Sequence, residues 1–309
     1  MHRVLVTGGS GFVGRNLINL IMRETEYEII SMCRSASSFN FEASGRIKNI
    51  HHDLRQPIGD RTYTEIGKVD YIIHLAASTY TENSTANPTS FVLDNVVGTA
   101  NLLEFARQQA TGLKQFFYLS TAEIFGPSPA GTIFKEDGAF NPFSPYAATK
   151  IGAQELCMSY NNTYEIPVTI GCAMNSFGPH QSPQKFIPQT IQKILKGERV
   201  LIHLSADGAS PNRRNYLHID DLCSAILFLA ANGISGEKYN IAASEESNNL
   251  KLAQMIADLL GKDLNYELVD RKKNSLALPQ LSGEKLKNLG WRQNKTLREG
   301  IKELIEWTI

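Results

Sequence analysis

The sequence predicts an α/β protein built on a doubly wound parallel sheet, because short β-branched runs alternate with helix-length segments through its first half. A glycine-rich turn follows the first run directly, in the position where such sheets place their first crossover. The runs predicted as strands are Arg3–Thr7, Glu28–Met32, Tyr71–Leu75, Gln115–Ser120 and Val168–Cys172.

Three helices are predicted between these strands. Each segment carries apolar residues at three- and four-residue spacing, as helices that face a core do. The segments are Arg15–Arg23, Ser90–Gln109 and Tyr146–Tyr160.

The second half of the chain contains Pro and Gly more often, and it predicts a smaller, loop-rich lobe with helices at Gln189–Lys196 and Leu250–Leu260. Helix Asp220–Ala231 and strand Lys238–Ile241 are expected to rejoin the main sheet. We therefore assign residues 1–172, rejoined by about 216–243, to the sheet domain, and residues 173–215 and 244–309 to the lobe.

Composition excludes several classes of partner. Thirty-one basic residues balance thirty-one acidic ones, so no global positive field attracts nucleic acid. No apolar stretch is long enough to span a bilayer, and the N-terminus enters a strand at once, which predicts a cytoplasmic protein without a membrane partner. The four cysteines lie far apart without metal-ligand spacing, so we expect packed, reduced thiols and no metal.

A dinucleotide-binding loop is predicted between the first strand and the first helix. Gly8, Gly11 and Gly14 form a GxxGxxG frame there, and Phe12 and Val13 lie within it. Without side chains the backbone can approach a pyrophosphate, whose charge the amides and the positive end of the helix hold. Glycines that serve turn geometry alone are the alternative, but the position between strand and helix favours a cofactor.

Further cofactor contacts are expected at the ends of other strands. Leu75, Ala76 and Ala77 end one strand, and Asp53 and Leu54 follow another. The carboxyl of Asp53 could cap an adenine amine, although a plain surface turn is the alternative for this residue.

The end of the second strand bears on the choice between NAD and NADP. An NAD enzyme usually places an Asp or Glu there for the ribose hydroxyls, but this chain has Cys33, followed by Arg34 and Ser35. A guanidinium beside a hydroxyl suits a 2′-phosphate better than a free diol. The sequence therefore favours NADP(H), with NAD(H) as the alternative if Arg34 is only a solvated charge.

A catalytic group is predicted at the carboxyl edge of the sheet. Strand Gln115–Ser120 leads into Thr121 and Glu123 at this edge, where ligands bind in open α/β folds. Tyr146 and Lys150 lie four residues apart and share one helix face. A phenol, with a pKa of about 10, is a useful base at neutral pH only when a cation stabilises its anion. Lys150 and an oxidised nicotinamide would provide that charge.

Four segments carry a family resemblance: Ser120–Gly126 (STAEIFG), Ser144–Lys150 (SPYAATK), Asn175–Pro188 (NSFGPHQSPQKFIP) and Arg214–Asp221 (RNYLHIDD). With the glycine loop, they make the chain similar, over nearly its whole length, to the extended short-chain dehydrogenase/reductase family of nucleotide-sugar 4,6-dehydratases, 4-epimerases and decarboxylases. Within that family it most resembles the dTDP-glucose and GDP-mannose types of 4,6-dehydratase. The resemblance implies a Rossmann domain, a nucleotide-diphosphate sugar as substrate, and a homodimer formed through the helices at Ser90–Gln109 and Tyr146–Tyr160.

The resemblance also implies roles for individual residues. By it, Thr121 hydrogen-bonds the sugar C4 oxygen, Tyr146 takes the C4 hydroxyl proton, and hydride passes to the nicotinamide. Glu123 would then remove the hydrogen at C5, which the C4 ketone makes acidic. The residues expected to contact substrate are Ser78, Thr121, Asn175, Lys185, Arg214 and Arg271.

Ala122 bears on which reaction follows the oxidation. Many dehydratases supply the proton for the departing C6 hydroxyl from an Asp at this position, so here Glu123 must act as both base and acid, or elimination is not the reaction. GDP-mannose-type dehydratases and UDP-glucuronate decarboxylases keep a glutamate at the position of Glu123. Simple 4-epimerases usually have a small neutral residue at that position. We therefore expect a 4,6-dehydratase, with a 4-epimerase or a UDP-glucuronate-type decarboxylase as the alternative. A catalytically silent dinucleotide-binding regulator is disfavoured, because Thr121, Tyr146 and Lys150 are intact.

Two further features are expected to be structural. The histidines considered, which show no ligand spacing, are His51, His52, His74, His203 and His218. Among these, only His218, near Arg214, could touch a ligand. The polar segment Ser205–Asn212 is either a flap over the nucleotide or a passive surface loop.

Overall fold

The structure is a computed structural model that describes residues 1–34, 45–109, 111–127, 131–204, 211, 213–270 and 279–309. The strands in these ranges are β1 (Arg3–Thr7), β2 (Glu28–Cys33), β3 (Ile47–His51), β4 (Tyr71–His74), β5 (Gln115–Thr121), β6 (Ile133–Phe134), β7 (Val168–Ala173), β8 (Asn175–Phe177), β9 (Val200–His203), β10 (Arg213–His218), β11 (Glu237–Ile241), β12 (Glu246–Asn248), β13 (Tyr266–Val269) and β14 (Gln280–Leu281). The α-helices are α1 (Phe12–Glu24), α2 (Asp60–Ile66), α3 (Thr81–Ala86), α4 (Pro88–Phe91), α5 (Gly98–Gln108), α6 (Pro145–Tyr164), α7 (Phe186–Leu195), α8 (Ile219–Asn232), α9 (Asn249–Leu260), α10 (Glu284–Leu289) and α11 (Leu297–Thr308).

The main sheet has, among the described residues, seven strands in the order β11-β7-β5-β4-β1-β2-β3. Every neighbouring pair in it is parallel. The strand order reverses direction beside β1, and an open sheet of this kind leaves a crevice at that point above the carboxyl ends of its strands. The fold is therefore the predicted Rossmann-like α/β sheet, and β11 joins it at the edge beside β7 as the sequence indicated.

Helices cover both faces of this sheet. On one face Leu17 and Ile21 of α1 pack with Leu222 and Ile226 of α8 in one apolar core. On the other face α5 and α6 contribute to a second core. Since both faces are buried, the central strands are almost continuously apolar rather than alternating.

The predicted helix Ser90–Gln109 is helical in the structure, but it is not α-helical throughout. The chain forms α4, then a π-helical segment at Val92–Val97, and then α5. Asn95 in the π segment is buried, and its amide donates to the Ser78 carbonyl and to the Thr149 hydroxyl, both at 3.0 Å. A π turn adds one residue to a helical turn, which the apolar spacing of the sequence does not record.

A third core lies outside the main sheet. It joins α7, α9 and α11 through Ile191, Leu252, Ile256 and Leu304. Beside it β10 pairs with β8 in parallel and with β12 in antiparallel orientation. No described helix is long and apolar enough to cross a membrane.

The polar stretch around residue 210 is only partly described. Arg214 and Asn215 belong to β10 rather than to a loop. The proposed flap Ser205–Asn212 lies outside the described residues except for Pro211, which bridges to Leu204.

Candidate active site

The glycine loop lies between β1 and α1, and its shape forbids larger side chains. Gly8 has a φ of 72°, and a Cβ on it would lie 2.8 Å from the Ala76 amide nitrogen. A Cβ on Gly14 would lie 2.2 Å from the Gly8 carbonyl oxygen. Gly11 precedes the first turn of α1 without a side-chain cap, and Phe12 and Val13 begin the helix. The first amides of α1 therefore keep their capacity to bind an anion.

A cavity of about 350 Å³ opens over this loop. Most of the sequence-predicted cofactor residues line it: Gly8, Gly11, Arg34, Asp53, Leu54, Leu75, Ala76 and Ala77. The Asp53 carboxylate forms an ion pair with Arg55, and that hydrogen bond lowers the pKa of Asp53. The structure therefore brings the glycine loop and the predicted adenine-side residues to one cavity.

Arg34 lies at this cavity, and its guanidinium is already paired with an acidic side chain. Its Nη1 donates to the Asp94 carboxylate at 3.1 Å, and the Asp94 side chain is only 13% exposed. Arg55 approaches the same carboxylate at 3.8 Å. Ser35, the other residue of the predicted phosphate pair, lies outside the described residues. The charge that the sequence assigned to a 2′-phosphate is thus already balanced by an acid from the π-helical segment.

Thr121 and Tyr146 come together at the carboxyl end of β5. Thr121 ends the strand, and Tyr146 lies in the first turn of α6, whose N-cap is Ser144. Burial raises the pKa of the Tyr146 phenol far above its ordinary value, the Glu123 charge adds to this rise, and a hydrogen bond with Thr121 opposes it. Phe91 packs edge-on against the Tyr146 ring at 6.4 Å. The phenol is therefore held in a dry position beside the Thr121 hydroxyl.

Lys150 is buried one turn further along α6. Its Nζ donates to the Leu119 carbonyl at 2.6 Å and lies 4.2 Å from the centre of the Tyr118 ring. Burial lowers the pKa of this ammonium to about 7. Burial therefore disfavours the charged form of Lys150.

Glu123 follows Thr121 by two residues and lies among groups from several elements. Burial raises the pKa of its carboxyl, whereas a hydrogen bond from Thr81 and the charges of Arg214 and Lys185 act in the opposite direction. Three of the residues predicted from sequence for substrate or catalysis, from three distant parts of the chain, are therefore close enough for two positive charges to act on one carboxyl. Lys185 also lies 4.8 Å above the Tyr80 ring.

The remaining predicted substrate residues are placed less tightly. Ser78 donates through its hydroxyl to Asp94 at 2.5 Å, so it lies on the cofactor side as well. Asn175 begins β8, beside Tyr216 of β10. Arg271 lies outside the described residues.

Ala122 turns into the protein rather than toward an open site. It is 4% exposed and belongs to an apolar cluster with Phe125, Cys172 and Leu281. The side chain at this position therefore offers neither a proton nor a polar contact.

Two residues that sequence reasoning missed are Thr81 and Asp94. Thr81 contacts Glu123 across 42 residues of sequence, and Asp94 contacts Arg34 across 60. Neither lies in a recognisable motif. Only the adjacency of α3 and the π-helical segment to the strand ends brings them to the site.

The histidines and cysteines behave as structural residues. His74 is buried, hydrogen-bonds the Thr7 and Thr99 hydroxyls, and has a pKa lowered to about 3 by burial. His218 is buried against Phe177, at 5.3 Å between ring centres, and so belongs to the packing. All four cysteines lie in the described ranges, are buried, and form no disulfide.

One group of three metal-ligand side chains occurs in the described part of the chain, at His218, Asp220 and Glu303. The Lys295 ammonium contacts both carboxylates of this group. A cation of the protein itself therefore already neutralises these acids.

The sequence profile of the NAD dependent epimerase/dehydratase family matches residues 4–242. This chain belongs to that family. A curated member, the dTDP-glucose 4,6-dehydratase of Mycolicibacterium smegmatis, is 32% identical to the chain, and the match covers 99% of this chain and 92% of the relative. Membership places the chain among nicotinamide-dependent enzymes of the extended short-chain dehydrogenase/reductase type, as its motifs indicated.

Solved structures of family members superpose closely. The dTDP-glucose 4,6-dehydratase DesIV from Streptomyces venezuelae, crystallised with NAD, has a TM-score of 0.88 and 30% identity, with 99% of this chain and 96% of that chain covered. The UDP-glucose 4-epimerase of Thermus thermophilus, also in complex with NAD, has a TM-score of 0.86 and 26% identity, with 98% of each chain covered. The overall fold therefore does not separate dehydratase from epimerase, and the side chains of the site must do so.

Proposed function

We propose that the chain is a nucleotide-sugar 4,6-dehydratase and that dTDP-glucose is the first substrate to test. The observation that carries this proposal is the buried Glu123 carboxyl, which lies next to the Thr121 and Tyr146 pair. Oxidation at C4 alone needs only the phenol and its partners, whereas a second proton-transfer group serves a reaction at C5. The dTDP-glucose 4,6-dehydratases among the relatives support the same choice.

The first step is oxidation at C4. Thr121 orients the C4 oxygen by a hydrogen bond, and the ionised Tyr146 phenol takes the C4 hydroxyl proton. The cavity over the glycine loop would hold the nicotinamide cofactor, which when bound would supply the acceptor for the C4 hydride and its return to C6. Lys150 favours the phenolate by its positive charge in a low-dielectric surrounding.

The second step is elimination across C5 and C6, and Glu123 serves as both base and acid. Its carboxylate takes the C5 proton, and the bonding electron pair moves onto the C4 oxygen as an enolate. The same carboxyl then gives that proton to the C6 oxygen, the C6–O bond breaks, and water leaves. In the last step C5 takes a proton from solvent, and Tyr146 releases to solvent the proton that it took from the C4 hydroxyl. Atoms and charge therefore balance.

Substrate binding is proposed on the basic side of Glu123. Lys185 and Arg214 carry positive charge close to the carboxyl, and such groups suit the two phosphates of a nucleotide diphosphate. Asn175 and Ser78 are proposed as neutral contacts. With the glycine loop on the other side, the reacting sugar would lie between the two phosphate-binding regions.

Incubation of the purified enzyme with nucleotide sugars in deuterated water tests this function. We expect dTDP-glucose to lose one water and to gain deuterium at C5, measured by mass spectrometry and NMR. A product of unchanged mass inverted at C4 would make the chain an epimerase, and loss of carbon dioxide from a uronic acid would make it a decarboxylase.

For the cofactor we propose NAD, although residue types at the end of β2 favoured NADP. Asp94 pairs with Arg34 and lies within reach of Arg55 at the cofactor cavity. A 2′-phosphate would have to displace this carboxylate and would face its negative charge. The NAD bound in the crystal structures of relatives supports the same cofactor.

Asp94→Asn is expected to raise the affinity for NADP relative to NAD by roughly tenfold, which corresponds to about 1.4 kcal/mol. The amide frees Arg34 for a phosphate while its oxygen still accepts the Ser78 hydrogen bond. Calorimetric titration of the apoenzyme with each cofactor measures the ratio, with the exposed-acid variant Asp137→Asn as control. An unchanged ratio, or a wild-type protein that binds NADP more tightly than NAD, contradicts this assignment.

Three further predictions of the sequence are carried forward as proposals. They are the division into a sheet domain and a substrate lobe, the homodimer formed through the helical segments Ser90–Gln109 and Tyr146–Tyr160, and the cytoplasmic location. The separate core of α7, α9 and α11 supports the first of these.

A further inference from the structure

We propose that Thr81 is a positioning residue for Glu123, holding the carboxylate so that this single group can act at both C5 and C6. This inference rests on the proposed dehydratase function and adds a residue to it. Because Ala122 cannot supply a proton, the Glu123 carboxyl must take one proton at C5 and deliver it to the C6 oxygen. A carboxyl that does both must be held in one orientation.

The Thr81 hydroxyl faces both carboxylate oxygens of Glu123. The Thr81 Oγ1 lies 3.2 Å from one carboxylate oxygen of Glu123 and 3.4 Å from the other, so its single O–H can be donated to either of them. A hydroxyl centred on the two oxygens restrains rotation of the carboxyl group about its last bond. The Thr81 hydroxyl also remains within reach of the unprotonated carboxylate oxygen, whichever of the two oxygens takes the proton.

Thr81 is itself fixed by the protein. It is the first residue of α3, and the hydroxyl of the fully buried Ser84 donates to its carbonyl at 2.6 Å. On the other side, the Glu123 amide donates to Thr121 Oγ1 at 3.3 Å. The carboxylate is thus held between the end of β5 and the start of α3, with its backbone tied to the residue that orients the C4 oxygen.

The charged and titratable groups that face Glu123 are Arg214 from β10, Lys185 before α7, and Tyr146 from α6. The two cations favour the carboxylate form of Glu123, and burial opposes it. Thr81 adds a hydrogen bond to the charged form, which also lowers the pKa of Glu123. Without this hydrogen bond the pKa would be higher, and less of the base would be ionised at neutral pH.

The test compares Thr81→Val with wild type in dehydration of dTDP-glucose across a range of pH. We expect the acid limb of the kcat profile to move upward by roughly one pH unit, because the hydrogen bond to the charged group is lost. At pH values below that limb we expect kcat to fall about tenfold. We also expect the isotope effect from C5-deuterated substrate to increase, since proton removal at C5 becomes slower. Thr81→Ser should restore the wild-type profile, because it keeps the hydroxyl.

Thr85→Val is the matched control. Thr85 lies one turn later on the same helix and is exposed, and its hydroxyl reaches only the Thr81 carbonyl, at 3.5 Å. If Thr81→Val and Thr81→Ala lower kcat without moving the acid limb, or if Thr81→Ser fails to restore it, the residue is merely structural and the proposal is overturned. A wild-type enzyme that forms no dehydrated product would instead refute the proposed function, so the two failures are distinguishable.

Discussion

Glu123→Gln is expected to abolish dehydration while leaving oxidation at C4 intact. An amide matches the carboxyl in shape and can keep the contact with Thr81, but it cannot take the C5 proton. General acid–base catalysis contributes about 10² to 10⁴ in rate, and this group would perform both proton transfers of the elimination. We therefore expect turnover to fall at least a thousandfold, within that range.

The measurement that isolates this step is deuterium exchange at C5 in the presence of cofactor and dTDP-glucose. Glu123→Gln should show reduced nicotinamide by absorbance but no deuterium at C5. Glu82→Gln changes an exposed acid next to Thr81 and should behave as wild type. Retention of full turnover by Glu123→Gln would remove Glu123 from the mechanism.

Tyr146→Phe is expected to stop the reaction one step earlier. The ring can keep its edge-on packing with Phe91, so the variant should fold and bind cofactor. Without the phenol oxygen nothing takes the C4 hydroxyl proton, and we expect a loss of about 10² to 10⁴ in turnover. Both reduced nicotinamide and C5 exchange should disappear together, since the C5 hydrogen becomes acidic only after C4 is oxidised.

A buried phenol in the main sheet provides the control for this variant. Tyr239 of β11 is 1% exposed, and its hydroxyl only accepts from the Ile234 amide at 3.4 Å. Tyr239→Phe should retain turnover, which separates catalysis from the cost of removing a buried hydroxyl. If Tyr146→Phe kept C5 exchange at the wild-type rate, another group would have to be the base for C4.

Local features of the sequence were sufficient for the fold class and for the glycine loop. The spacing of apolar residues predicts strands and helices, because the direction of the side chains repeats with a fixed period along each element. The collision that a Cβ on Gly14 would make with the Gly8 carbonyl is likewise a consequence of the tight turn between β1 and α1. The pairing of Tyr146 with Lys150 on one helix face is also a local fact, and so is the position of Thr121 at a strand end.

The environment of each group could not be read in the same way. The sequence suggested that Arg34 is available to a phosphate, but the tertiary structure pairs it with Asp94 from the π-helical segment. Similarly, residue types did not show that the Lys150 ammonium lies on the Leu119 carbonyl and the Tyr118 ring. Charge balance depends on neighbours in space, which residue types along the chain do not specify.

By itself, the sequence determined a Rossmann-like fold and a nicotinamide-dependent family, and it predicted the triad of Thr121, Tyr146 and Lys150. Only the tertiary structure decided which groups surround Glu123 and that Thr81 contacts it. The physical reason is that the order of strands in the sheet, not distance along the chain, sets which strand ends and helix starts are adjacent. Contacts between residues 42 and 60 positions apart therefore set the surroundings of Glu123 and of Arg34.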